Sequence, residues 1–211
     1  MQKQNIVILG STGSIGKSTL SVIENNPQKY HAFALVGGKN VEAMFEQCIK
    51  FRPHFAALDD VNAAKILREK LIAHHIPTEV LAGRRAICGL AAHPDADQIM
   101  ASIVGAAGLL PTLSAVKAGK RVLLANKESL VTCGQLFIDA VKNYGSKLLP
   151  VDSEHNAIFQ SLPPEAQEKI GFCPLSELGV SKIILTGSGG PFRYTPLEQF
   201  ASITPEQAVA H

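Results

Sequence analysis

Short apolar segments alternate with longer amphipathic segments over the first 150 residues of this 211-residue chain. The apolar segments predict buried strands, because they are short, nearly continuous in hydrophobic residues and bounded by turn residues. The segments between them carry apolar residues at helical spacing and predict helices. The predicted strands cover residues 5–10, 32–38, 54–60, 98–105 and 120–126, and the predicted helices cover residues 14–25, 40–50, 61–75, 110–118 and 128–143.

This alternation predicts an α/β fold with a Rossmann-like, doubly wound parallel sheet, because parallel strands need crossovers that cover both faces of the sheet. The rhythm then changes: "SLPPEAQE" (161–168) contains two prolines, and "LTGSGGPFRYTP" (185–196) is rich in glycine. We therefore expect a Rossmann-like domain over residues 1–147 and the beginning of a second domain over residues 148–211.

Composition narrows the functional classes. Hydrophobic residues make up 46% of the chain, charged residues 18%, and the net charge is +2, so no basic surface for nucleic acid is indicated. The cysteines, Cys48, Cys88, Cys133 and Cys173, form no C-x-x-C pair and indicate neither a zinc site nor a disulfide framework. No apolar run is long enough to span a bilayer. We expect a soluble cytoplasmic protein without nucleic-acid or membrane partners.

The segment "GSTGSIGKST" joins the first predicted strand to the first predicted helix. It departs from a P-loop at Ser11 and from the G-x-G-x-x-G dinucleotide motif at Thr12, since both positions require glycine. The spacing Gly10-x-x-Gly13-x-x-Gly16 can still serve a dinucleotide, with one glycine each for a tight turn, for approach to the pyrophosphate and for helix–sheet packing. The alternative is an ordinary turn that begins a helix.

The second predicted strand ends in "VGGKN" (36–40). An NAD site usually places a carboxylate here to bind the ribose 2′-hydroxyl, whereas this chain offers Lys39 and Asn40. A cation and a neutral amide favour the 2′-phosphate of NADP, although surface lysines are common.

The segment "ANKES" (125–129) follows a later predicted strand, at the edge of the sheet where open α/β folds bind ligands. Lys127 would place a positive charge beside the nicotinamide, facing an anionic or carbonyl substrate. The alternative is the start of a helix with Glu128 in its first turn.

The segment "PVDSEHNAIFQ" follows an apolar run that predicts a buried strand. If the chain stays extended, Asp152 and Glu154 point to the same side and form a hard oxygen site for Mg²⁺ or Mn²⁺. His155 would then point the opposite way and is the weaker ligand candidate. The alternative is that Asp152 or Ser153 caps a helix over residues 154–161.

The glycine-rich segment "TGSGGPF" (186–192) offers Ser188 and consecutive backbone N–H groups. These could form a phosphate nest or a mobile lid. The alternative is a flexible loop with no ligand.

Together these segments resemble the 1-deoxy-D-xylulose-5-phosphate reductoisomerase family. The matching stretches are "ILGSTGSIG", "ALVGGKN", "IVGAAGLLPT", "LLANKESLV", "PVDSEHNAIFQ" and "LTGSGGPFR", and they run across the whole chain. The fourth and fifth stretches are the most specific.

The resemblance implies an enzyme of non-mevalonate isoprenoid biosynthesis. Such enzymes use NADPH and a divalent cation (Mg²⁺, Mn²⁺ or Co²⁺) to rearrange and reduce a phosphorylated ketose, giving 2-C-methyl-D-erythritol 4-phosphate. It also implies a homodimer. On this pattern residues 1–147 are the NADP-binding domain, and residues 148–211 begin a truncated α+β catalytic domain that binds the metal.

The resemblance also assigns residues to these roles. Cofactor binding falls to Thr12, Gly13, Ser14, Ile15, Gly38, Lys39, Asn40, Asn126 and Glu128. The metal falls to Asp152 and Glu154. Substrate contacts fall to Lys127, Ser153, Glu154, Ser188 and His211, of which Lys127, Glu154 and His211 are the implied catalytic residues.

Members of this family continue well beyond the position of His211, the last residue here. Their remaining part carries a further carboxylate ligand, most phosphate-binding residues and a C-terminal helical domain. We therefore expect this chain to be the amino-terminal part of such an enzyme, and to be inactive alone.

Two other functions stay open from the residues. One is a related two-domain NADP-dependent dehydrogenase, such as a semialdehyde dehydrogenase, with Cys133 in "VTCGQ" as a thiol nucleophile. The other is a nucleotide-binding module or fragment without catalysis, in which Asp152 only caps a helix.

Overall fold

The computed structural model describes residues 3–210, so that His211 lies outside the described residues. Seven parallel strands form one sheet in the order β4-β3-β2-β1-β5-β6-β7. The strands are β1 (Gln4–Leu9), β2 (Tyr30–Gly37), β3 (Phe55–Leu58), β4 (Glu79–Ala82), β5 (Gln98–Ala101), β6 (Arg121–Leu124) and β7 (Lys147–Pro150). The domain division expected near residue 148 falls within β7 and stays a prediction.

Helices connect the strands and cover both faces of the sheet. They are α1 (Ser14–Asn25), α2 (Val41–Phe51), α3 (Val61–Ala73), α4 (Gly83–Ala91), α5 (Leu109–Lys117) and α6 (Glu128–Tyr144). The predicted α/β class and parallel sheet are confirmed. Strand β4 and helix α4 were not predicted, and β3, β5 and β6 are shorter than their predicted segments. No helix within residues 3–210 has the length and hydrophobicity needed to cross a membrane.

The core consists of two apolar layers, one on each face of the sheet. Along β1, Ile6 and Ile8 pack in the layer beneath α1–α3, whereas Val7 and Leu9 pack in the layer beneath α4–α6. This alternation follows from the two-residue side-chain period of a strand, and it explains why β1 is apolar at each of residues 6–9.

The chain after β7 is built differently. It contains α7 (Ser153–Ser161), α8 (Pro164–Glu168) and α9 (Pro205–Val209), together with 3-10 turns at Leu175–Leu178, Gly190–Phe192 and Leu197–Ser202. Within residues 151–210 the structure assigns no strand, and the side chain of Ala166 is the one that is fully buried. The α+β character expected for this part stays a prediction.

Candidate functional site

The strand order reverses at β1, which pairs with β2 on one side and with β5 on the other. The backbone N–H groups of Gly10 and Ser11 donate to the carbonyl of Val36 at 2.9 and 2.8 Å. Across the reversal, the Ser102 N–H donates to the Leu9 carbonyl at 3.0 Å. Open parallel sheets bind ligands in the crevice outside the carboxyl ends of their strands at such a reversal. The candidate site therefore lies at this edge of the sheet.

Two of the three motif glycines are required by close packing. Gly10 has a φ of +90°, and a Cβ there would lie 2.8 Å from the Ser102 carbonyl oxygen. A Cβ on Gly16 would lie 2.3 Å from the Gly10 carbonyl oxygen. The predicted tight turn and close helix packing are therefore both present. Gly13 precedes α1 and supplies no side-chain cap, which leaves the first backbone N–H groups of the helix open to an anion.

A cavity of about 270 Å³ lies at the strand reversal. Thr12, Gly13 and Gly38, three of the residues assigned to the cofactor, line its wall. Asp59 and Arg84, which sequence reasoning did not select, also line it. The rest of the lining is Gly10, Gly37, Ile87, Ser102, Ile103, Val104, Ala107 and Pro111.

The other residues assigned to the cofactor's phosphates lie around this cavity and do not line it. Ser14 and Ile15 are exposed in the first turn of α1, and Lys39 is exposed beside Gly38. Asn40 caps α2, because its side-chain oxygen accepts the Ala43 N–H at 3.1 Å. Any contact that Asn40 makes with a phosphate through its side chain must therefore use its amide NH₂ group.

Gln47 supports the turn after β1 from beneath, and sequence reasoning missed it. Its Nε2 donates to the Ser11 carbonyl at 2.9 Å, and the Ser11 hydroxyl contacts the Met44 sulfur at 3.9 Å. The Gln47 side chain is buried, yet its Oε1 has no hydrogen-bond partner among the described residues. An unpaired buried oxygen costs stability. Gln47 thus holds the Ser11 carbonyl in place, while its unpaired Oε1 lowers the stability of the fold.

Asn126 is buried, and its side chain is fully engaged. Its Nδ2 donates to the carbonyls of Ile103 and Gly105, the latter at 3.0 Å, and its Oδ1 accepts the N–H and the hydroxyl of Ser129 at 2.9 and 2.6 Å. It ties the loop after β5 to the first turn of α6. If Asn126 borders the nicotinamide, it acts there by holding the loop, because its hydrogen-bonding positions are taken.

Lys127 and Glu128 lie at the start of α6, with Glu128 in its first turn. The helix start proposed as an alternative is therefore present. It does not exclude a ligand, since the Lys127 side chain lines a second cavity of about 270 Å³, which it shares with Asp152 and His155.

The two acids do not lie in an extended segment, so the geometry predicted for them is wrong. Helix α7 begins at Ser153, directly after Asp152, and Asn156 anchors it by donating to the Pro150 carbonyl at 2.8 Å. Asp152 and Glu154 consequently line different cavities. His155 also turns toward Asp152 rather than away, with its Nδ1 3.4 Å from the carboxylate. The alternative of a helix start is correct in part. The helix is present and follows Asp152 directly, but the Asp152 side chain makes no cap bond to it.

Glu154 faces a groove of about 430 Å³ together with Ser153 and Thr186. Hydrogen bonds from its own backbone N–H and from the Ser153 side chain lower the pKa of this exposed carboxyl, and the charges of Lys127 and His155 lower it further. The carboxylate is therefore the stable form. Asp152 and Glu154 suit a hard cation, but no group of three metal-ligating side chains forms within residues 3–210.

The remaining predicted substrate residues are not brought into this cluster. Ser188 lies in an exposed loop, two residues beyond Thr186, where its hydroxyl accepts the Gly190 N–H at 3.2 Å. His211 lies outside the described residues. Their assigned roles stay predictions.

Comparison with known families adds an independent finding. A family model for 1-deoxy-D-xylulose 5-phosphate reductoisomerase matches residues 6–134. A second model, for the C-terminal domain of the same enzyme, matches residues 148–211. The matched segments contain the glycine turn, the "NKES" segment and both acids.

Curated relatives agree over the whole chain. The 1-deoxy-D-xylulose 5-phosphate reductoisomerase of Haemophilus influenzae strain Rd is 99% identical over 211 residues, which is 100% of this chain and 53% of the relative. That of Actinobacillus pleuropneumoniae serotype 3 is 73% identical over 208 residues, or 99% of this chain and 52% of the relative. The chain thus spans about half the length of the curated relatives it matches.

Solved structures show the same fold. A DOX-P reductoisomerase in complex with NADPH, fosmidomycin and magnesium matches with a TM-score of 0.87 and 39% identity, over 99% of this chain and 51% of the other. The enzyme from Zymomonas mobilis in complex with NADPH matches with a TM-score of 0.84 and 44% identity, over 100% and 52%. The chain belongs to the 1-deoxy-D-xylulose 5-phosphate reductoisomerase family.

Proposed function

We propose that this chain supplies the NADPH site and two metal ligands of an enzyme that rearranges and reduces 1-deoxy-D-xylulose 5-phosphate to 2-C-methyl-D-erythritol 4-phosphate. The observation that carries the proposal is the cavity at the strand reversal, lined by Thr12, Gly13 and Gly38 within a chain that matches this family. A solved member of the family binds NADPH together with magnesium and fosmidomycin.

The cofactor's pyrophosphate would lie against the turn formed by Thr12 and Gly13 and the first turn of α1, with Ser14 and Ile15. The uncapped helix start and the close approach allowed by the glycines support this placement. Gly38, Lys39 and Asn40 would receive the adenosine phosphate. Asn126 and Glu128 would border the nicotinamide half.

A divalent cation would be held by Asp152 and Glu154, on either side of the start of α7. Carboxylates are the ligands that hard cations prefer, and the Asp152 side chain is not used as a helix cap. The pairing of the two acids on one cation rests on the family resemblance, since they line different cavities in this structure. Two carboxylates make a weak site, and a third ligand from outside residues 3–210 would complete it. Mn²⁺ and Co²⁺ would fit the same donors as Mg²⁺.

When bound, NADPH supplies the hydride and the divalent cation stabilises negative charge on adjacent substrate oxygens. Lys127, at the start of α6, would supply a second positive charge facing the substrate. Glu154 would accept or return a proton during the rearrangement. Ser153, Ser188 and His211 complete the proposed substrate contacts.

Further parts of the proposal rest on the family resemblance: the whole enzyme acts as a homodimer, and its substrate in isoprenoid precursor biosynthesis is a phosphorylated ketose. The cytoplasmic location and the start of the catalytic domain near residue 148 are proposed from the sequence pattern.

The test uses the purified 211-residue chain. We expect NADPH to bind, with an affinity at least about tenfold above that of NADH, because a phosphate–lysine pair contributes on the order of 1–3 kcal/mol. We expect no measurable NADPH oxidation with substrate and Mn²⁺, because residues 3–210 bring no third metal-ligating side chain to the two acids. Equal affinity for the two cofactors would contradict the assigned 2′-phosphate site, and metal-dependent turnover would contradict the assigned division of the active site.

A matched pair of variants separates this function from the two alternatives. In the whole enzyme, Asp152→Asn should abolish turnover and leave NADPH binding intact, whereas Cys133→Ser should retain turnover. An active Asp152→Asn enzyme would leave only a structural role for this acid, as expected of a nucleotide-binding module. Loss of activity in Cys133→Ser, with the fold intact by circular dichroism, would favour the thiol nucleophile.

A further inference from the structure

Helix α4 begins directly where β4 ends, with no loop residue between Ala82 and Gly83. Because β4 is parallel to the other strands, its carboxyl end lies at the edge of the sheet that carries Gly10 and Gly38. The first turn of α4 therefore lies beside the cavity at the strand reversal.

Arg84 and Ile87 are three residues apart in α4, and both line this cavity. Residues three apart lie on the same face of a helix. Ile87 is buried and forms an apolar part of the wall, whereas Arg84 is exposed, so that its charge remains in water. The helix face thus presents an apolar surface with a guanidinium beside it.

Within the described part of the chain, the Arg84 side chain forms neither a hydrogen bond nor an ion pair. The charged side chains that line the cavity are those of Arg84 and Asp59. Asp59 follows β3, and its carboxylate is not within ion-pair distance of Arg84 in the structure. Lys39 does not line the cavity, although its neighbour Gly38 does.

We propose that Arg84 is a specificity-determining residue of the cofactor site, whose guanidinium binds the adenosine 2′-phosphate of NADPH together with Lys39. This inference rests on the proposed function, because it assumes that the adenosine half enters the cavity beside Gly38. A guanidinium can donate two parallel hydrogen bonds to a phosphate, which a lysine cannot do.

The experiment measures NADPH and NADH affinity by fluorescence titration of the unchanged chain and three variants. Arg84→Gln should weaken NADPH binding by roughly tenfold and change NADH binding by less than about twofold, because NADH lacks the phosphate. Arg84→Lys should recover part of the loss. Arg85→Gln is the matched control, since Arg85 is the next residue in the helix and does not line the cavity.

Each other outcome overturns the inference in a recognisable way. Equal losses for NADPH and NADH would show that Arg84 contacts a part common to both cofactors, such as the adenine. If Arg84→Gln and Arg85→Gln weaken NADPH binding equally, Arg84 acts only as a general surface charge. If Arg84→Gln binds NADPH as tightly as the original chain, the role of Arg84 is refuted and the proposed cofactor site is not. If the original chain does not bind NADPH, the proposed cofactor site is refuted as well.

Discussion

Residues 3–150 and residues 151–210 differ in how many apolar side chains they bury. The first places apolar side chains in two layers against a seven-stranded sheet. The second has one fully buried side chain, that of Ala166, and exposes the consecutive residues Ile183, Ile184 and Leu185. The stability of a domain comes chiefly from buried apolar area. We therefore expect the first region, which buries two apolar layers, to fold by itself.

This contrast separates the two halves of the proposed site. The residues proposed for the cofactor lie in the turns directly after β1 and β2 and at the starts of helices that pack on the core. The acids and Ser188 stand in the region that buries little, and such regions open at low free-energy cost. We therefore expect cofactor binding to survive changes that abolish metal and substrate binding.

The largest effect expected from this contrast is a difference between two leucine substitutions. Leu35 is 0% exposed, whereas Leu185 is 62% exposed. Leu35→Ala should lower the free energy of unfolding by about 2–5 kcal/mol, through lost burial and a cavity. Leu185→Ala should change it by less than about 0.5 kcal/mol. Urea unfolding measures both, and equal losses would show that the second region has a core of its own.

A smaller effect concerns two thiols, one in each region. Burial raises the pKa of the Cys48 thiol to about 12, and the side chain is 0% exposed. Cys173, in the second region, is half-buried. At neutral pH, maleimide should label Cys173 at least about tenfold faster than Cys48, since reaction needs an accessible thiolate. Peptide mass spectrometry gives both rates, and rapid labelling of Cys48 would show that the core opens readily.

The smallest effect is a dependence on pH that originates in the first region. Burial lowers the pKa of His31 below its ordinary value of 6.5, and the charges of Lys3 and His54 lower it further. Between pH 6.5 and the lowered pKa, the unfolded chain takes up a proton that the folded chain does not. The resulting stability is present above pH 6.5 and is lost as the pH falls through the lowered pKa.

Substitution of His31 should therefore reduce the acid sensitivity of the fold. Between about pH 7.5 and 5.5 the Tm of the unchanged chain should fall further than that of His31→Gln, by on the order of 1–2 °C. His75→Gln, at an exposed position, is the control. Parallel Tm curves for the unchanged chain and His31→Gln would refute the assignment.

The fold could be predicted from sequence wherever apolar residues run without interruption, as in β1 and β2. Strand β4 and helix α4 were missed because "TEVLAGRRAICGLA" offers four strand residues and then a short helix with Gly83, Gly89 and two arginines. Such segments owe their structure to tertiary pairing, here with β3, rather than to local preference.

The site could be predicted in residue type but not in full geometry. The roles of Gly10 and Gly16 follow from the motif, since steric demands are local. Gln47 and Arg84 could not be found, because each reaches the site from a distant helix. The error at Asp152 and Glu154 came from assuming that β7 continued, whereas α7 begins directly after Asp152.

Asn126 has a consequence for how the two halves of the site communicate. Its amide joins the loop at Ile103 and Gly105 to the start of α6, which carries Lys127. If a ligand orders one side, this amide lowers the entropic cost of ordering the other side. Linkage is reciprocal: if cofactor binding orders the loop and thereby favours ligands at Lys127, those ligands must strengthen cofactor binding by the same factor. One buried amide would therefore couple the affinities of the two ends of the proposed site, whichever ligand binds first.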